Sequence, residues 1–191
     1  MSLKKILVIS GPNLNLLGKR EPEIYGDLSL DNIYLNMQKL IDKTKYQLVC
    51  KQSNSEAKII DWIQNAYNRY NAIILTQVLH ILPDMESALQ NVFSALVPGG
   101  VILATIPVIT QVSRFDMERW GDYWRVTDKA LELLAEKNLP NCQTAVTAYG
   151  NHLTALAALT GLAAEELTGS ELEFFDPDYQ ILIGMYSKKR K

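Results

Sequence analysis

The sequence predicts an α/β domain with a mostly parallel sheet, and two observations favour this class. Short β-branched or apolar runs alternate with amphipathic stretches of helical spacing along the whole chain, an order typical of parallel strands joined by helical crossovers. The length of 191 residues and the hydrophobic fraction of 48% are those of an ordinary globular chain with one well-buried core. We therefore expect a single domain that spans residues 1–191.

Strands are expected where apolar and β-branched residues follow one another. The first, KILVIS, is ended at Ser10 by the Gly-Pro pair that comes next. The expected strands are 5–10, 46–51, 72–75, 101–106, 144–149 and 179–186. Their short lengths suit buried strands better than helices.

Helices are expected in the intervening segments. Ser29 can cap the N-terminus of the first helix, and Pro98-Gly99-Gly100 is predicted to end the third. The helices are placed at 29–44, around 59–67, 85–96, 127–138 and 151–166. The segment 107–126 has no clear period, and loops of that length are often lids or partner surfaces.

Composition and charge narrow the class of partner. Nineteen basic against 21 acidic side chains give a net charge of -2, which provides no electrostatic footprint for nucleic acid or an anionic membrane. The N-terminal apolar run stops at Ser10, too soon for a signal peptide or a membrane span. Cys50 and Cys142 lie far apart, so neither a disulfide framework nor a metal site is expected. We expect a cytoplasmic protein with a small-molecule ligand at most.

Residues 11–26 read GPNLNLLGKREPEIYG and follow the first strand, where ligands of open parallel sheets bind. With QSNSEAKIIDWI at 52–63, this stretch resembles the N-terminal half of type II 3-dehydroquinate dehydratase, over residues 1–74. The resemblance implies that Tyr25 abstracts a proton next to the substrate carbonyl, that Arg20 favours the phenolate, and that Asn13 positions the ring or a water. Without the resemblance, the interpretation that the residues favour is a surface turn with Tyr25 at the sheet edge.

The rest of that family's site is not found downstream. The family carries an Asn after the third strand, a His in the Gly-rich loop that follows, and a His and an Arg beyond the next strand. Here the third strand continues as AIILTQVLHILPDMESAL and the fourth is VILATIP. His80 falls near a family histidine but in different surroundings, so its role is not transferred. The general acid is therefore missing.

From residue 75 the sequence resembles another family. TQVLHILPDMESALQNVFSALVPGGVILATIP and the stretches that follow, to residue 191, are similar to the later half of class I S-adenosylmethionine-dependent methyltransferases. The likeness implies a cleft floor at Gln77, Val78 and Leu79 that could contact the cofactor. It also implies a lid that faces the acceptor substrate, formed by Arg114, Trp120, Tyr123, Trp124 and Arg125.

The methyltransferase site is also incomplete. That family binds its cofactor through a Gly-rich loop after strand 1 and an acidic residue that ends strand 2. Here Gly11 is followed by Pro12, and strand 2 ends in Cys50-Lys51-Gln52. No cofactor is therefore expected, with S-adenosylmethionine as the one alternative. The lid aromatics could equally pack on the core, and His152 is expected to be a surface or core histidine.

Both resemblances meet inside AIILTQ, in a central strand that is buried on both faces in either fold. Joining them there predicts a three-layer sandwich, flavodoxin-like or Rossmann-like, with strand order 2-1-3-4-6-5, strand 6 antiparallel and right-handed crossovers. The leading hypothesis is an engineered or recombined chimera in which neither parent activity is intact. The alternatives are a divergent 3-dehydroquinate dehydratase that uses Tyr25, Arg20 and Asn13, and a protein that binds S-adenosylmethionine or transfers its methyl group.

Overall fold

The computed structural model describes residues 3–19, 27–112, 114–119 and 121–191. The strands form one sheet and run in chain order as β1 (Lys4–Ser10), β2 (Tyr46–Gln52), β3 (Tyr70–Thr76), β4 (Leu96–Pro107), β5 (Cys142–Tyr149) and β6 (Leu182–Lys189). The α-helices are α1 (Leu30–Leu40), α2 (Glu56–Gln64), α3 (Met85–Ala95), α4 (Arg114–Met117), α5 (Asp128–Asn138), α6 (His152–Thr160) and α7 (Gly169–Glu173). Short 3-10 turns lie at Leu14–Leu16, Leu79–Ile81 and Ala164–Glu166.

The sheet has the strand order β2-β1-β3-β4-β6-β5. Neighbours from β2 to β4 are parallel, whereas β6 is antiparallel to both β4 and β5. The order and the antiparallel last strand predicted from the sequence are therefore confirmed. The side chain of Ser29 caps α1 by accepting a hydrogen bond from the Asn32 amide, as expected.

Several boundaries differ from the sequence prediction. α1 ends at Leu40 and not at 44, and α6 ends at Thr160 and not at 166. The run Pro98-Gly99-Gly100 lies inside β4, because Leu96 already pairs with Tyr70 before the register shifts and Val101 pairs with Ala72. The last strand begins three residues later than its expected start of 179, at Leu182, because Ile181 is used in loop contacts. Its N–H donates to the carbonyl oxygen of Tyr149 (2.8 Å), and its own carbonyl accepts from Val108 (2.8 Å).

One face of the sheet is closed by helices, and we call it the helix-covered face. α2, α3 and α5 contribute buried side chains to the same cluster as alternate residues of the strands. Leu7, Ile9, Ile73 and Ile102 on this face are 0% exposed. The cluster draws residues from both sides of position 75, so the two parts of the chain share one hydrophobic core.

The other face, which we call the open face, is covered unevenly. α1 lies over its β1 side, where the Tyr34 hydroxyl donates to Oγ of Ser10 (2.8 Å), a residue only 3% exposed. Farther across, Leu103, Tyr149 and Tyr186 are 40%, 54% and 39% exposed. They line a groove of 370 Å³ that crosses β3, β4, β6 and β5. The second helical layer of the sandwich is therefore thin over these strands.

The basic C-terminal run is partly structural. Lys189 lies in β6, and its ammonium donates to the carbonyl oxygens of Phe93 (3.1 Å) and Leu96 (3.0 Å) at the end of α3. It also stands 4.1 Å from the centroid of the Phe93 ring. Cations at a helix C-terminus satisfy carbonyls that have no partner in the helix, so Lys189 ties β6 to α3.

Candidate functional site

A row of polar side chains crosses the sheet at the carboxyl ends of the parallel strands. Ser10 pairs with Gln52 on one side and with Thr76 on the other, and Thr76 pairs with Thr105. All four residues point to the open face, since they occupy equivalent positions in register. The row spans both parts of the chain and marks the edge where a ligand of an open α/β sheet is expected.

The loop after β1 is held by side-chain amides from the end of β2. Oδ1 of Asn54 accepts hydrogen bonds from Nε2 of Gln52 (2.7 Å) and from the backbone N–H of Asn13 (3.2 Å). Gln52 Nε2 also lies 3.3 Å from the carbonyl oxygen of Gly11 and 3.3 Å from Oδ1 of Asn15. Asn13 itself has a φ of 64°, in the left-handed region that asparagine tolerates better than most residues. We call the side chains of Asn15, Gln52 and Asn54, together with the backbone N–H of Asn13, the amide network.

Gly11 allows the first loop to touch the exit of β3. A Cβ on Gly11 would overlap the carbonyl oxygen of Gln77. Like Asn13, Gln77 has a left-handed backbone conformation, with a φ of 54°. Its side-chain amide lies 3.5 Å from Oγ1 of Thr105. The backbone of the two parts of the chain is therefore in direct contact at the strand-order switch between β1 and β3.

Arg20 and Tyr25, the expected proton-transfer pair, lie outside the described residues. Near the polar row, burial raises the pKa of Tyr34 although its hydrogen bond with Ser10 acts in the opposite direction. Burial also raises the pKa of Cys50. Both shifts favour the neutral form, so these two groups act here as packed hydrogen-bonding or apolar side chains.

The segment that leaves β3 turns into the core. Val78 and Leu79, expected on the cleft floor, are both 0% exposed and belong to the hydrophobic cluster. His80 follows, and its carbonyl oxygen accepts the backbone N–H groups of Tyr123 and Trp124 (3.1 Å each). Of the proposed cleft floor, Gln77 is the residue whose side chain remains at the polar row.

Two of the described lid side chains, those of Trp124 and Arg125, form hydrogen bonds. The indole N–H of Trp124 donates to the carbonyl oxygen of Leu82 (2.8 Å), and the residue is 40% exposed. Arg125 forms a bidentate pair with Asp122 at 2.6 and 2.7 Å. Tyr123 is 52% exposed and Arg114 is exposed at the start of α4, whereas Trp120 lies outside the described residues. His152 makes an edge contact with the ring of Tyr179 at 4.9 Å.

The chemistry of the described edge is hydrogen bonding. Amides and hydroxyls donate and accept protons in hydrogen bonds without changing their charge near neutral pH. Nucleotide-binding sheets carry a carboxylate for the ribose at the end of the second strand. In this chain that region holds Lys51, whose ammonium lies 4.7 Å from the centroid of the Trp62 ring. Within the described ranges, no three His, Cys, Asp or Glu side chains lie close enough to hold a metal ion.

Sequence reasoning missed Asn15, Gln52 and Asn54. Gln52 and Asn54 belong to the run QSN at the end of β2. The useful signal was the position of this run, because polar residues that follow two adjacent parallel strands meet at one edge of the sheet.

The first part of the chain matches a known family. The family model for dehydroquinase class II matches residues 4–81. A 3-dehydroquinate dehydratase of Histophilus somni (strain 2336) is 49% identical over 90 residues, which are 46% of this chain and 60% of that protein. The chain thus spans less than two thirds of the length of that relative. The 3-dehydroquinate dehydratase of Pelotomaculum thermopropionicum is 31% identical over 157 residues, which are 82% of this chain and 99% of that protein.

The whole fold is similar to that of a methyltransferase. The structure of the CurJ carbon methyltransferase superposes with a TM-score of 0.54 and covers 99% of this chain and 49% of that one, at 11% identity. At this identity the likeness concerns the fold alone. The chain therefore combines a dehydroquinase-like first part with a sheet of methyltransferase-like architecture. None of the helices in the described ranges is both long and apolar enough to span a membrane.

Proposed function

Because the chain belongs to the class II dehydroquinase family, we propose that its carboxyl edge still binds 3-dehydroquinate but that the chain completes neither dehydration nor methyl transfer. In this proposal the chain is a chimera whose dehydroquinase-like part is 1–74 and whose methyltransferase-like part is 75–191. It folds as one domain because both parts supply strands to a common core. Its function is then ligand binding without turnover.

The amide network is the observation that carries the binding half of the proposal. Asn54 joins the ends of β1 and β2 through hydrogen bonds to the backbone N–H of Asn13 and to Gln52, so the start of the loop is held without ligand. A hydroxylated ring with a keto group and a carboxylate needs donors and acceptors close together. Side-chain amides supply both, and a preorganised loop lowers the entropy cost of binding.

The segment after β3 supports the second half of the proposal, the absence of turnover. Dehydration needs a base, an acid and a charge stabiliser held together, and loss of one member commonly costs several orders of magnitude in rate. Here the backbone of His80 anchors Tyr123 and Trp124, while Val78 and Leu79 fill the core. These residues therefore pack in the core or hold the lid, and in this proposal none of them acts as the acid.

A turnover assay tests the absence of catalysis. The purified chain is incubated with 3-dehydroquinate, and formation of the conjugated enone is followed by absorbance. We expect no rate above buffer, with no difference between the parent chain and Tyr25→Phe. Turnover that disappears in Tyr25→Phe would instead establish the divergent dehydratase, the alternative that family membership favours.

A binding assay tests the amide network separately. We expect 3-dehydroquinate to shift amide resonances of Asn13, Gln52 and Asn54 in a titration followed by NMR. Asn54→Ala removes an acceptor shared by two hydrogen bonds and should weaken binding about tenfold, the equivalent of ~1.4 kcal/mol. Asn65→Ala is the matched control, because Asn65 hydrogen-bonds with Asp61 on α2. Equal affinities for both variants, or no shifts at all, would argue against a retained site.

The methyltransferase alternative has its own test. Calorimetric titration with S-adenosylmethionine is expected to show no heat, because strand β2 ends in Lys51 and Gln52 where that cofactor's ribose needs a carboxylate. A saturable heat of binding that is smaller in Gln77→Ala would support binding of S-adenosylmethionine and would contradict this part of the proposal.

A further inference from the structure

The outer edge of β5 is an open hydrogen-bonding surface. β5 is the last strand of the sheet and pairs with β6 on one side. Within the part of the chain that the structure describes, the other side of β5 pairs with no strand. An edge of this kind presents backbone donors and acceptors to any extended segment that approaches it.

The register shows which groups face outward. The N–H of Arg190 donates to the carbonyl oxygen of Asn141 (3.1 Å), which makes this pair a hydrogen-bonded pair of the antiparallel ladder. Such pairs recur at every second residue, so Gln143, Ala145 and Thr147 bond to β6 and the residues between them point away. The outward groups are the N–H and C=O of Thr144, Val146 and Ala148.

β5 lacks the features that usually protect an edge. Its sequence, CQTAVTAY, has no charge and no proline, and its pairing with β6 shows no bulge. The opposite edge strand, β2, contains Lys51 and directly follows Lys45. Lysine on an edge strand discourages pairing with a further strand, so the two edges of the sheet are not equivalent.

A groove with a carboxylate rim runs beside this edge. It has a volume of 490 Å³ and lies between β5 and α5, with Glu132, Ala135, Glu136 and Leu139 on its helical side. Glu132 and Glu136 are one helical turn apart, about 6 Å along the axis. Side chains at alternate positions of a strand are about 6.8 Å apart. Two cationic residues on one face of an added strand would therefore match the spacing of the two carboxylates, with Glu132 shared between the strand and Lys129, its exposed partner at 2.7 Å.

We propose that the β5 edge and this groove bind an extended, cationic segment of another protein, which adds to the sheet as a seventh strand. The backbone of Thr144, Val146 and Ala148 supplies the hydrogen bonds. Lysine or arginine at alternate positions faces Glu132 and Glu136. Addition of a strand to an exposed edge is a recurring mode of peptide recognition in which the main chain gives affinity and alternate side chains give specificity.

A second copy of this chain fits the groove less well. If two copies paired through antiparallel β5 strands, a two-fold axis normal to the sheet would relate them. Both α5 helices would then lie on the same side of the sheet. Glu132 and Glu136 of each copy would then approach those of the other. β5 itself contributes no positive charge, and Lys129 on α5 is already paired with Glu132, so the remaining like charges across the interface oppose association.

The probe is a fluorescein-labelled heptapeptide in which valine alternates with lysine, added to the intact chain and followed by anisotropy. The matched peptide has glutamate in place of lysine. We expect the lysine peptide to bind and the glutamate peptide to bind at least tenfold more weakly. The double variant Glu132→Gln, Glu136→Gln should weaken the lysine peptide about threefold to tenfold, whereas Glu165→Gln, Glu173→Gln, which removes the same charge from residues outside the groove lining, should not.

The backbone contribution is tested without changing the protein. N-methylation of the peptide on one alternate set of amides should abolish binding, and methylation of the other set should not, because only one set faces β5. Bound peptide should slow hydrogen exchange at Thr144, Val146 and Ala148 and leave Gln143, Ala145 and Thr147 unchanged. Equal binding of both peptides, insensitivity to methylation, or a dimer by light scattering that excludes the peptide would each overturn the proposal.

Discussion

The two faces of the sheet are built from the same strands but are closed to different degrees. On β4, Ile102 is 0% exposed on the helix-covered face, while its neighbour Leu103 is 40% exposed on the open face. α2, α3 and α5 come from both parts of the chain and close the first face completely enough to form one core. The comparison indicates that residues before and after position 75 share one core on the helix-covered face, whereas the helical layer on the open face leaves β4 and β6 partly exposed.

The largest expected effect comes from the neighbouring pair on β4. Ile102→Ala should lower the free energy of unfolding by about 2–5 kcal/mol, because it leaves a cavity among packed side chains. Leu103→Ala should cost less than about 1 kcal/mol, since much of that side chain already meets water. Urea denaturation followed by circular dichroism measures both values. Similar losses for the two variants would mean that the open face is covered in solution.

The second largest expected loss of stability comes from the contact between Gly11 and Gln77. Gly11→Ala should destabilise the protein by about 1–3 kcal/mol, because its Cβ would overlap the carbonyl oxygen of Gln77 and force the two loops apart. Gly169→Ala is the control, as nothing lies within 4 Å of a Cβ at that position. If both variants have the stability of the parent chain by thermal denaturation, the loops after β1 and β3 are not in the close contact described.

A matched pair on β6 repeats the comparison with charged residues. Lys189→Ala removes the hydrogen bonds to the Phe93 and Leu96 carbonyls on the helix-covered face and should cost about 1–2 kcal/mol. Lys188→Ala, on the open face, should change the stability by less than about 0.5 kcal/mol. Chemical denaturation of the two variants side by side provides the measurement. Equal effects would show that Lys189 is solvated like an ordinary tail residue.

The strand order was predictable because apolar runs and the resemblances place each strand, and right-handed crossovers leave few arrangements. The start of β4 was not predictable, since Pro98-Gly99-Gly100 has the local chemistry of a turn. The pairing of Leu96 with Tyr70 includes this run in the strand. The contacts of Lys189 were not predictable either. A run of basic residues is usually solvated, and only the tertiary structure brings this lysine to the end of α3.

The candidate site was predictable to a similar extent. Asn13 follows β1 and Gln77 follows β3, as their places in the sequence imply, and their roles in a site stay predictions. The partners of Asn13 required the register that brings Gln52 beside Ser10. The burial of Val78 and Leu79 depends on α3 and on the core around it, which no local pattern in QVLH reveals.

The smallest effect concerns the covered part of the open face, where Tyr34 donates to Ser10. Tyr34→Phe should cost about 1 kcal/mol near pH 7, because a buried acceptor loses its partner. Burial raises the pKa of Tyr34 in the folded protein, so the folded state favours the neutral phenol. Its contribution is fully present below the unfolded-state pKa of about 10 and is lost as the pH rises through the higher folded-state pKa. The parent chain should therefore lose stability above pH ~10 more steeply than Tyr34→Phe, whereas Tyr149→Phe, at an exposed tyrosine of the same face, should follow the parent. Parallel alkaline profiles for parent and Tyr34→Phe would mean that α1 does not bury this phenol, and the open face would then be unprotected along its whole width.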